Sequence, residues 1–380
     1  MILRICSGGM ICVAIAANLI PVYLTTFSET FGGLGEEQLG RIPALLFAGF
    51  IVGILTCGPL ADRLGAKLFM TGGFGLSAIG LLLLGTAPTY SILLSAAALC
   101  GVGAGMLDMI VSPVVAAVSI HRKSAALNRV HSFFCVGAVG TLAIASLGLE
   151  MGAPWRGVTV GFALIPAALA AVVLKTDLPP LIHPEQARQG FRYLIRAPRF
   201  YIAMLMILLV GATDSGVAQW LPAYSEKELG LSKAMGGYLL TGFSIAMWIG
   251  RWIASLEQGK IPPHVILGFS SLLCFALYLT GTLSQSNWIA ASACVLVGFA
   301  CSATWPTCLG MTSDRFPQGG ATLFALLAAG GNIGCLIVPW AEGMVAEKWD
   351  IRTAILSCSV FPLTLALIVG ALWIVEGRRK

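Results

Sequence analysis

Long runs of apolar residues, broken by short polar segments, make up most of this 380-residue chain. Each of twelve runs is close to the roughly 20 residues that an α-helix needs to cross the apolar core of a bilayer. The predicted helices cover residues 4–27, 38–60, 68–86, 90–118, 126–149, 156–174, 200–224, 233–255, 262–283, 287–310, 320–345 and 352–375. Because the first run continues to Phe27, we interpret it as a retained helix rather than a cleaved signal peptide. The pattern predicts an all-α, twelve-helix membrane protein.

Composition supports this interpretation and excludes several classes of protein. Hydrophobic residues make up 57% of the chain and charged residues 11%, against about 25% charged residues in an average soluble protein. A soluble enzyme, a nucleic-acid-binding protein and a disordered protein are therefore disfavoured. The 11 cysteines lie in apolar runs without paired spacing, which indicates packing residues rather than disulfides or a metal site.

The distribution of positive charge predicts orientation. If both termini are cytoplasmic, 17 of the 23 Lys and Arg residues fall on the cytoplasmic side and 6 on the other, as the positive-inside rule requires. The net charge of +6 therefore needs no nucleic-acid partner to explain it. The chain has short loops and no N-x-[ST] sequence, so we expect a multi-pass protein of a bacterial inner membrane. We also expect a monomer.

Two halves of the chain are similar. The longest polar loop, 175–199, separates a predicted N-terminal six-helix bundle, 1–174, from a C-terminal one, 200–380. Three glycines of the first half recur 197 positions later: Gly53 with Gly250, Gly101 with Gly298 and Gly137 with Gly334. The nearly constant offset indicates duplication, and repeated six-helix bundles are typical of transporters.

One segment carries a family resemblance. The loop after the second predicted helix reads Gly58-Pro-Leu-Ala-Asp62-Arg63-Leu-Gly65-Ala-Lys67, which resembles the signature of the major facilitator superfamily. The resemblance implies that these residues act in gating, with Asp62 pairing to a helix N-terminus or an arginine; alternatively, the basic residues only enforce topology. Arg251, at the cytoplasmic edge of the eighth predicted helix, is read in the same two ways.

Further motifs resemble one branch of that superfamily, which contains the fucose–proton symporter and sodium-glucose-transporter-like proteins. The four segments that carry the resemblance run from Gly101 to Asp108, from Ala126 to Phe134, from Asp214 to Tyr224 and from Trp305 to Thr307. The chain departs from the fucose symporters at Asn18, where they have a carboxylate, and at Ser112, where they have an asparagine. The resemblance implies transport of a monosaccharide or similar polar solute, coupled to H⁺ or Na⁺, by alternating access.

Two acidic residues near the middle of predicted helices are the main candidates for ion coupling and substrate binding. Charge in a bilayer costs roughly 2.5 kcal/mol or more, so Asp108 and Asp214 are expected to have a function. The alternative is permanent pairing with a neighbouring helix. His131 would join Asp108 in a proton relay, or would be a hydrogen-bonded packing residue.

Uncharged polar and aromatic residues complete the predicted substrate site. Asn18, Ser112, Gln219 and Asn332 offer donors and acceptors suited to hydroxyl-rich solutes, although such groups also link helices. Two tryptophans, Trp220 and Trp305, would stack on a sugar ring, and the proline after Trp305 is expected to break its helix. Three glutamates near predicted helix ends are expected to be reached by water, namely Glu150, Glu257 and Glu342.

The alternatives to sugar transport are drug efflux, nutrient sensing and intramembrane hydrolysis. A drug–proton antiporter usually has an arginine in its fourth helix and a Gly-Pro signature in its fifth, and this chain has neither. A non-transporting nutrient sensor on the same fold stays open. The motifs of intramembrane hydrolases are absent, so we expect no enzyme activity. No nucleotide-binding loop appears, so we expect no cofactor beyond a coupling cation.

Overall fold

The computed structural model describes residues 1–119, 123–179, 191–256, 261–316 and 320–377. These residues form helices and connecting turns, and no strand occurs among them. Within the described ranges, eleven helical stretches are long and apolar enough to cross a membrane. The eighth predicted span is not one of the eleven, but it coincides with a 24-residue helix, Lys233–Leu256. The all-α membrane fold is thus confirmed.

The chain forms two compact units, and the first comprises Met1–Leu34 and Arg41–Ala187. Its described residues contain seven helices, because the first predicted span is divided in two. One helix, α3, begins in the second unit, which contains Gly35–Gly40. The helices are α1 (Ile2–Val22), α2 (Leu24–Thr30), α3 (Glu36–Leu64), α4 (Ala66–Thr86), α5 (Tyr90–Val118), α6 (Lys123–Glu150) and α7 (Trp155–Leu174).

The second unit comprises Gly35–Gly40 and Arg188–Lys380. The described residues of this unit form ten further helices, namely α8 (Phe191–Ile195), α9 (Pro198–Ala218), α10 (Leu221–Lys227), α11 (Lys233–Leu256), α12 (Pro263–Leu283), α13 (Asn287–Cys301), α14 (Thr304–Arg315), α15 (Gly320–Lys348), α16 (Ile351–Ser357) and α17 (Val360–Gly377). An apolar core in this unit is built around Phe200, Ile207, Leu267 and Leu327, all buried.

Four predicted spans are interrupted rather than continuous, at the junctions of α1 with α2, α9 with α10, α13 with α14 and α16 with α17. A proline lies within about one turn of each interruption: Pro21, Pro222, Pro306 and Pro362. Proline has no N–H to donate to the carbonyl four residues earlier, and its ring crowds that carbonyl. The break that was predicted beside Trp305 is present, just before Pro306.

The duplication predicted from glycine spacing is also visible in the packing. A Cβ atom added to Gly101 on α5 would lie 2.8 Å from the carbonyl carbon of Leu46 on α3. One added to Gly298 on α13 would lie 3.0 Å from the carbonyl carbon of Phe243 on α11. Leu46 and Phe243 have the same separation in sequence as the two glycines. Each unit therefore contains the same backbone-to-backbone helix contact, which only a residue without a side chain permits.

A pair of arginines repeats this symmetry, although the sequence pattern did not single them out. Nη1 of Arg156 donates to the carbonyl oxygens of Gly85 (3.4 Å) and Ala87 (2.8 Å). Arg352 uses Nη1 in the same way at the end of α12, on the carbonyl oxygens of Thr282 (3.1 Å) and Ser284 (3.4 Å). Each arginine satisfies carbonyls that the end of a helix leaves without an intrahelical partner.

Candidate functional site

Three of the predicted site residues come together in the first unit. Asp108 and Ser112 lie one turn apart on α5, so their side chains point to the same side of the helix. His131 on α6 approaches this side, and its Nε2 is 2.9 Å from Oγ of Ser112. His131 is also close enough to Asp108 to interact with it electrostatically. All three side chains are half-buried, which leaves them accessible to solvent or a solute.

This cluster has the chemistry of a proton relay. A serine hydroxyl donates one hydrogen bond and accepts others, whereas each ring nitrogen of histidine donates or accepts according to its protonation. Ser112 therefore stays paired with His131 whether or not Nε2 carries a proton. The cluster of Asp108, Ser112 and His131 therefore contains the donor and acceptor groups that the predicted proton relay needs.

A second cluster, in the second unit, surrounds Asp214 on α9. The Cys301 thiol donates to Oδ1 of Asp214 at a distance of 3.7 Å, and Arg251 interacts with this carboxylate electrostatically. Nε of Arg251 donates to the carbonyl oxygen of Ser302 at 3.3 Å. Since Pro306 has no N–H for that carbonyl, Arg251 supplies the missing donor. Asp214 thus lies beside the interruption between α13 and α14.

The structure gives Arg251 contacts that its predicted role did not include. The sequence placed this residue near the cytoplasmic end of the predicted helix 233–255, as a gate or a topology signal. The helix ends at Leu256, one residue beyond the predicted bound, and Arg251 lies next to Asp214 and the broken span. The role of Arg251 in gating or topology stays a prediction.

The predicted amides occupy two different settings. Nδ2 of Asn18 donates to the carbonyl oxygen of Ala14 in the preceding turn of its own helix, at 2.9 Å. Asn332 makes the equivalent bond to Ala328, also at 2.9 Å. Gln219 is buried at the interruption between α9 and α10. Asn18 and Asn332 therefore each donate these hydrogen bonds within their own helices and not to a neighbouring helix.

The two predicted tryptophans differ in exposure. Trp220 is fully buried, and its indole N–H donates to the carbonyl oxygen of Pro339 at 3.2 Å. This position gives Trp220 a packing role between α10 and α15. Trp305 is half-buried, and its ring lies so close to Gly331 that a Cβ there would be 3.1 Å from Cζ2. Trp305 retains surface for a solute.

The predicted signature loop, residues 58–67, is seen in part, and most of it belongs to the end of α3. Gly65 has φ +87° and is the N-cap of α4; the left-handed conformation favours glycine. Nζ of Lys67 lies 3.9 Å from Oδ1 of Asp177, and both side chains are well exposed, so this ion pair adds little stability. Gly58, Asp62 and Arg63 belong to α3. The side chains of Asp62 and Arg63 lie outside the described part of the chain, so the gating role of these two residues stays a prediction.

Glu342 was the main residue that sequence reasoning misplaced. It was expected to be reached by water, yet it is 1% exposed. The physical reason is that α15 runs on to Lys348 and other helices of the second unit cover the last turns. A signal was present in the sequence, because Glu342 is flanked by Pro339, Trp340, Ala341, Gly343 and Met344, none of which is charged.

Comparison with known proteins decides the family. The model of the Major Facilitator Superfamily matches residues 5–322 and 259–380. The chain belongs to the Major Facilitator Superfamily. It is 24% identical to a probable nitrate/nitrite transporter, NarK2, of Mycobacterium tuberculosis, over 90% of this chain and 91% of that protein. It is 21% identical to the L-fucose-proton symporter of Escherichia coli, over 84% of this chain and 82% of the symporter.

Solved structures agree with this membership. The crystal structure of a D-xylose-proton symporter superposes with a TM-score of 0.78 at 14% identity, covering 97% of this chain and 96% of that one. The likeness shows that the two proteins share a fold. Family and fold together establish that this superfamily member is a multi-pass membrane transporter and not an enzyme, as the sequence predicted.

Proposed function

We propose that this Major Facilitator Superfamily protein is a proton-coupled symporter of a monosaccharide or similar small polar solute, working by alternating access. The observation that carries the proposal is the cluster of Asp108, Ser112 and His131 in the first unit. A membrane helix tolerates such groups at considerable cost, and a proton relay is their usual use there.

The choice of solute rests on the polar groups of the predicted site residues in each unit. The predicted site residues include hydroxyl, amide and carboxylate groups together with the half-buried ring of Trp305, a combination that suits a neutral, hydroxyl-rich molecule. The names of two similar proteins, the L-fucose-proton and D-xylose-proton symporters, support a sugar. The similarity to a probable nitrate/nitrite transporter supports an anion instead. Arg251 already interacts with Asp214 and Ser302, which favours a neutral solute.

The membrane setting follows the charge distribution. We place both termini in the cytoplasm of a bacterial cell, with the protein in the inner membrane, because 17 of the 23 Lys and Arg residues then face the cytoplasm. We take the protein as a monomer, with two units that each contain the same duplicated helix contact.

Transport into proteoliposomes tests the coupling. Purified protein would be offered L-fucose, D-xylose, nitrate and a lipophilic cation, under a proton gradient, a sodium gradient or neither. The proposal predicts that one sugar accumulates under the proton gradient. Accumulation driven only by sodium would contradict proton coupling, nitrate transport would contradict the solute class, and export of the lipophilic cation would identify an antiporter.

Variants then test the residues. Asp108→Asn and His131→Gln are expected to abolish accumulation driven by a proton gradient, while exchange of labelled for unlabelled solute continues, because exchange needs no net proton movement. Asp177→Asn is the matched control, since this aspartate is fully exposed and outside the relay. If Asp108→Asn and His131→Gln both accumulate solute normally, the assignment of the relay is wrong.

A further inference from the structure

Glu342 is the most completely buried acidic group that the proposed transport mechanism does not use. Its side chain is 1% exposed. Neither Oε1 nor Oε2 receives a hydrogen bond from the part of the chain that the structure describes. It differs in this from Asp214, which accepts a hydrogen bond from Cys301.

The groups that face Glu342 carry no balancing charge. The thiol of Cys358, between α16 and α17, lies beside the carboxyl group without the geometry of a hydrogen bond. Tyr278 on α12 is within electrostatic range, but its hydroxyl donates to the carbonyl oxygen of Thr213 on α9 at 2.6 Å. Among the described residues, no Lys, Arg or His interacts with Glu342.

A carboxylate in such a place is unstable unless it binds a cation. Burying an unpaired ion is costly even after the protein relaxes, and burying a neutral carboxylic acid costs far less. Tyr278 and Cys358, which lie near Glu342, also pack closely against α9. A Cβ atom at Gly216 on α9 would lie 2.8 Å from Oη of Tyr278 and 3.0 Å from Cβ of Cys358. The described residues also contain no group of three His, Cys, Asp or Glu side chains that could hold a metal. A proton is the cation that fits.

Glu342 lies less than two turns from the end of its helix. Helix α15 ends at Lys348, which is about 9 Å beyond Glu342 at a rise of 1.5 Å per residue. Lys348 is exposed. The interruption between α16 and α17 falls at Cys358 and Ser359, beside the carboxyl group. Such an interruption weakens the helix that covers Glu342, so local opening there would admit water.

We propose that Glu342 is an exchangeable proton-binding site of the second unit, separate from the relay of Asp108, Ser112 and His131. The site takes a proton from water and holds it as a neutral carboxylic acid. It extends beyond the proposed symport, because the proton is bound by the protein whether or not a solute is present.

Infrared spectroscopy of the purified protein tests this proposal without any transport substrate. The C=O stretch of a carboxylic acid is distinct from the bands of a carboxylate. The spectrum of the wild type minus that of Glu342→Gln, at pH 7, is expected to contain a carboxylic acid band that moves when water is replaced by D₂O. Glu347→Gln is the matched control, because Glu347 is exposed on the same helix and accepts a hydrogen bond from the Glu37 N–H at 3.3 Å. This control should leave the band intact.

Two results would overturn the proposal. Absence of the acid band would show that Glu342 is charged, and a band that does not move after prolonged equilibration in D₂O would show a sealed structural acid. If Glu342→Gln does not fold, Glu342→Asp replaces it, and the same band should shift in position rather than vanish. Failure of the proposed symport would leave this spectrum unchanged, so the two proposals can be rejected separately.

Discussion

The close contact between α3 and α5 makes a quantitative prediction about Gly101. Replacing Gly101 by Ala adds a methyl group 2.8 Å from the carbonyl carbon of Leu46 and 3.1 Å from the backbone nitrogen of Phe50. Both neighbours are backbone atoms, so no side chain can rotate to make room. The two helices must separate, and the contacts along them weaken together.

The expected cost follows from two opposing terms. Overpacking of a close-packed interior costs about 1–3 kcal/mol, and a clash with backbone belongs at the upper end of this range. The added methyl group favours the helical conformation of residue 101 by roughly 0.5–1 kcal/mol. We therefore expect Gly101→Ala to lower the free energy of unfolding by about 2 kcal/mol, and Gly298→Ala, at the equivalent contact of the second unit, to do the same.

Thermal unfolding of detergent-purified protein measures this effect. Gly75→Ala on α4 is the matched control for Gly101→Ala, because a Cβ atom there meets nothing within 4 Å. Gly370→Ala on α17 serves in the same way for Gly298→Ala. The controls should melt at or slightly above the temperature of the wild type, and the two test variants several degrees below it. Equal melting of Gly101→Ala and Gly75→Ala would refute the argument that α3 and α5 pack backbone to backbone.

Two further predictions concern helix ends. Oδ1 of Asp350 accepts the N–H of Thr353 at 2.6 Å and caps α16, so Asp350→Ala should cost about 1 kcal/mol of unfolding free energy at pH 7. Hydrogen bonding to Thr353 lowers the pKa of Asp350. The difference in unfolding free energy between the wild type and Asp350→Ala should therefore persist above roughly pH 4 and disappear as the pH falls through the lowered pKa. A difference that grows in acid would contradict this reasoning. Arg156→Gln and Arg352→Gln should each lower the free energy of unfolding by about 1.5–3 kcal/mol, because a charged donor to helix-end carbonyls is lost. Chemical denaturation would show whether the two losses match. An effect at only one arginine would argue against their equivalence.

Features that repeat along the chain, such as the apolar runs and the glycine spacing, could be predicted from the sequence. The apolar runs predicted the positions of the membrane helices because length and hydrophobicity alone decide whether a segment can span a bilayer. The spacing of Gly101 and Gly298 predicted the duplication, since close helix contacts in both units demand a residue without a side chain. His131 was named as a partner of Asp108 in a proton relay or, alternatively, as a hydrogen-bonded packing residue. The structure places it within electrostatic range of Asp108 and 2.9 Å from Oγ of Ser112, and the relay stays a prediction.

Features that depend on tertiary packing could not be predicted. The distance of Glu342 from the helix end suggested exposure, but its burial depends on which helices cover the last turns of α15. The contact of Arg251 with the Ser302 carbonyl arises only because the chain is interrupted before Pro306. Trp220 was predicted to bind solute, whereas the structure buries it against Pro339. A sequence of one chain carries no direct record of such neighbours.

Simultaneous measurement of solute and proton movement tests the central claim most directly. Proteoliposomes containing the wild type would be suspended in a weakly buffered solution with a pH-sensitive dye outside the vesicles. They would then receive a pulse of the transported sugar, with no proton or sodium gradient imposed. The account predicts that the external solution becomes more alkaline as the sugar enters, and that Asp108→Asn abolishes this signal. Entry of the sugar through the wild type without any change in pH would contradict proton coupling.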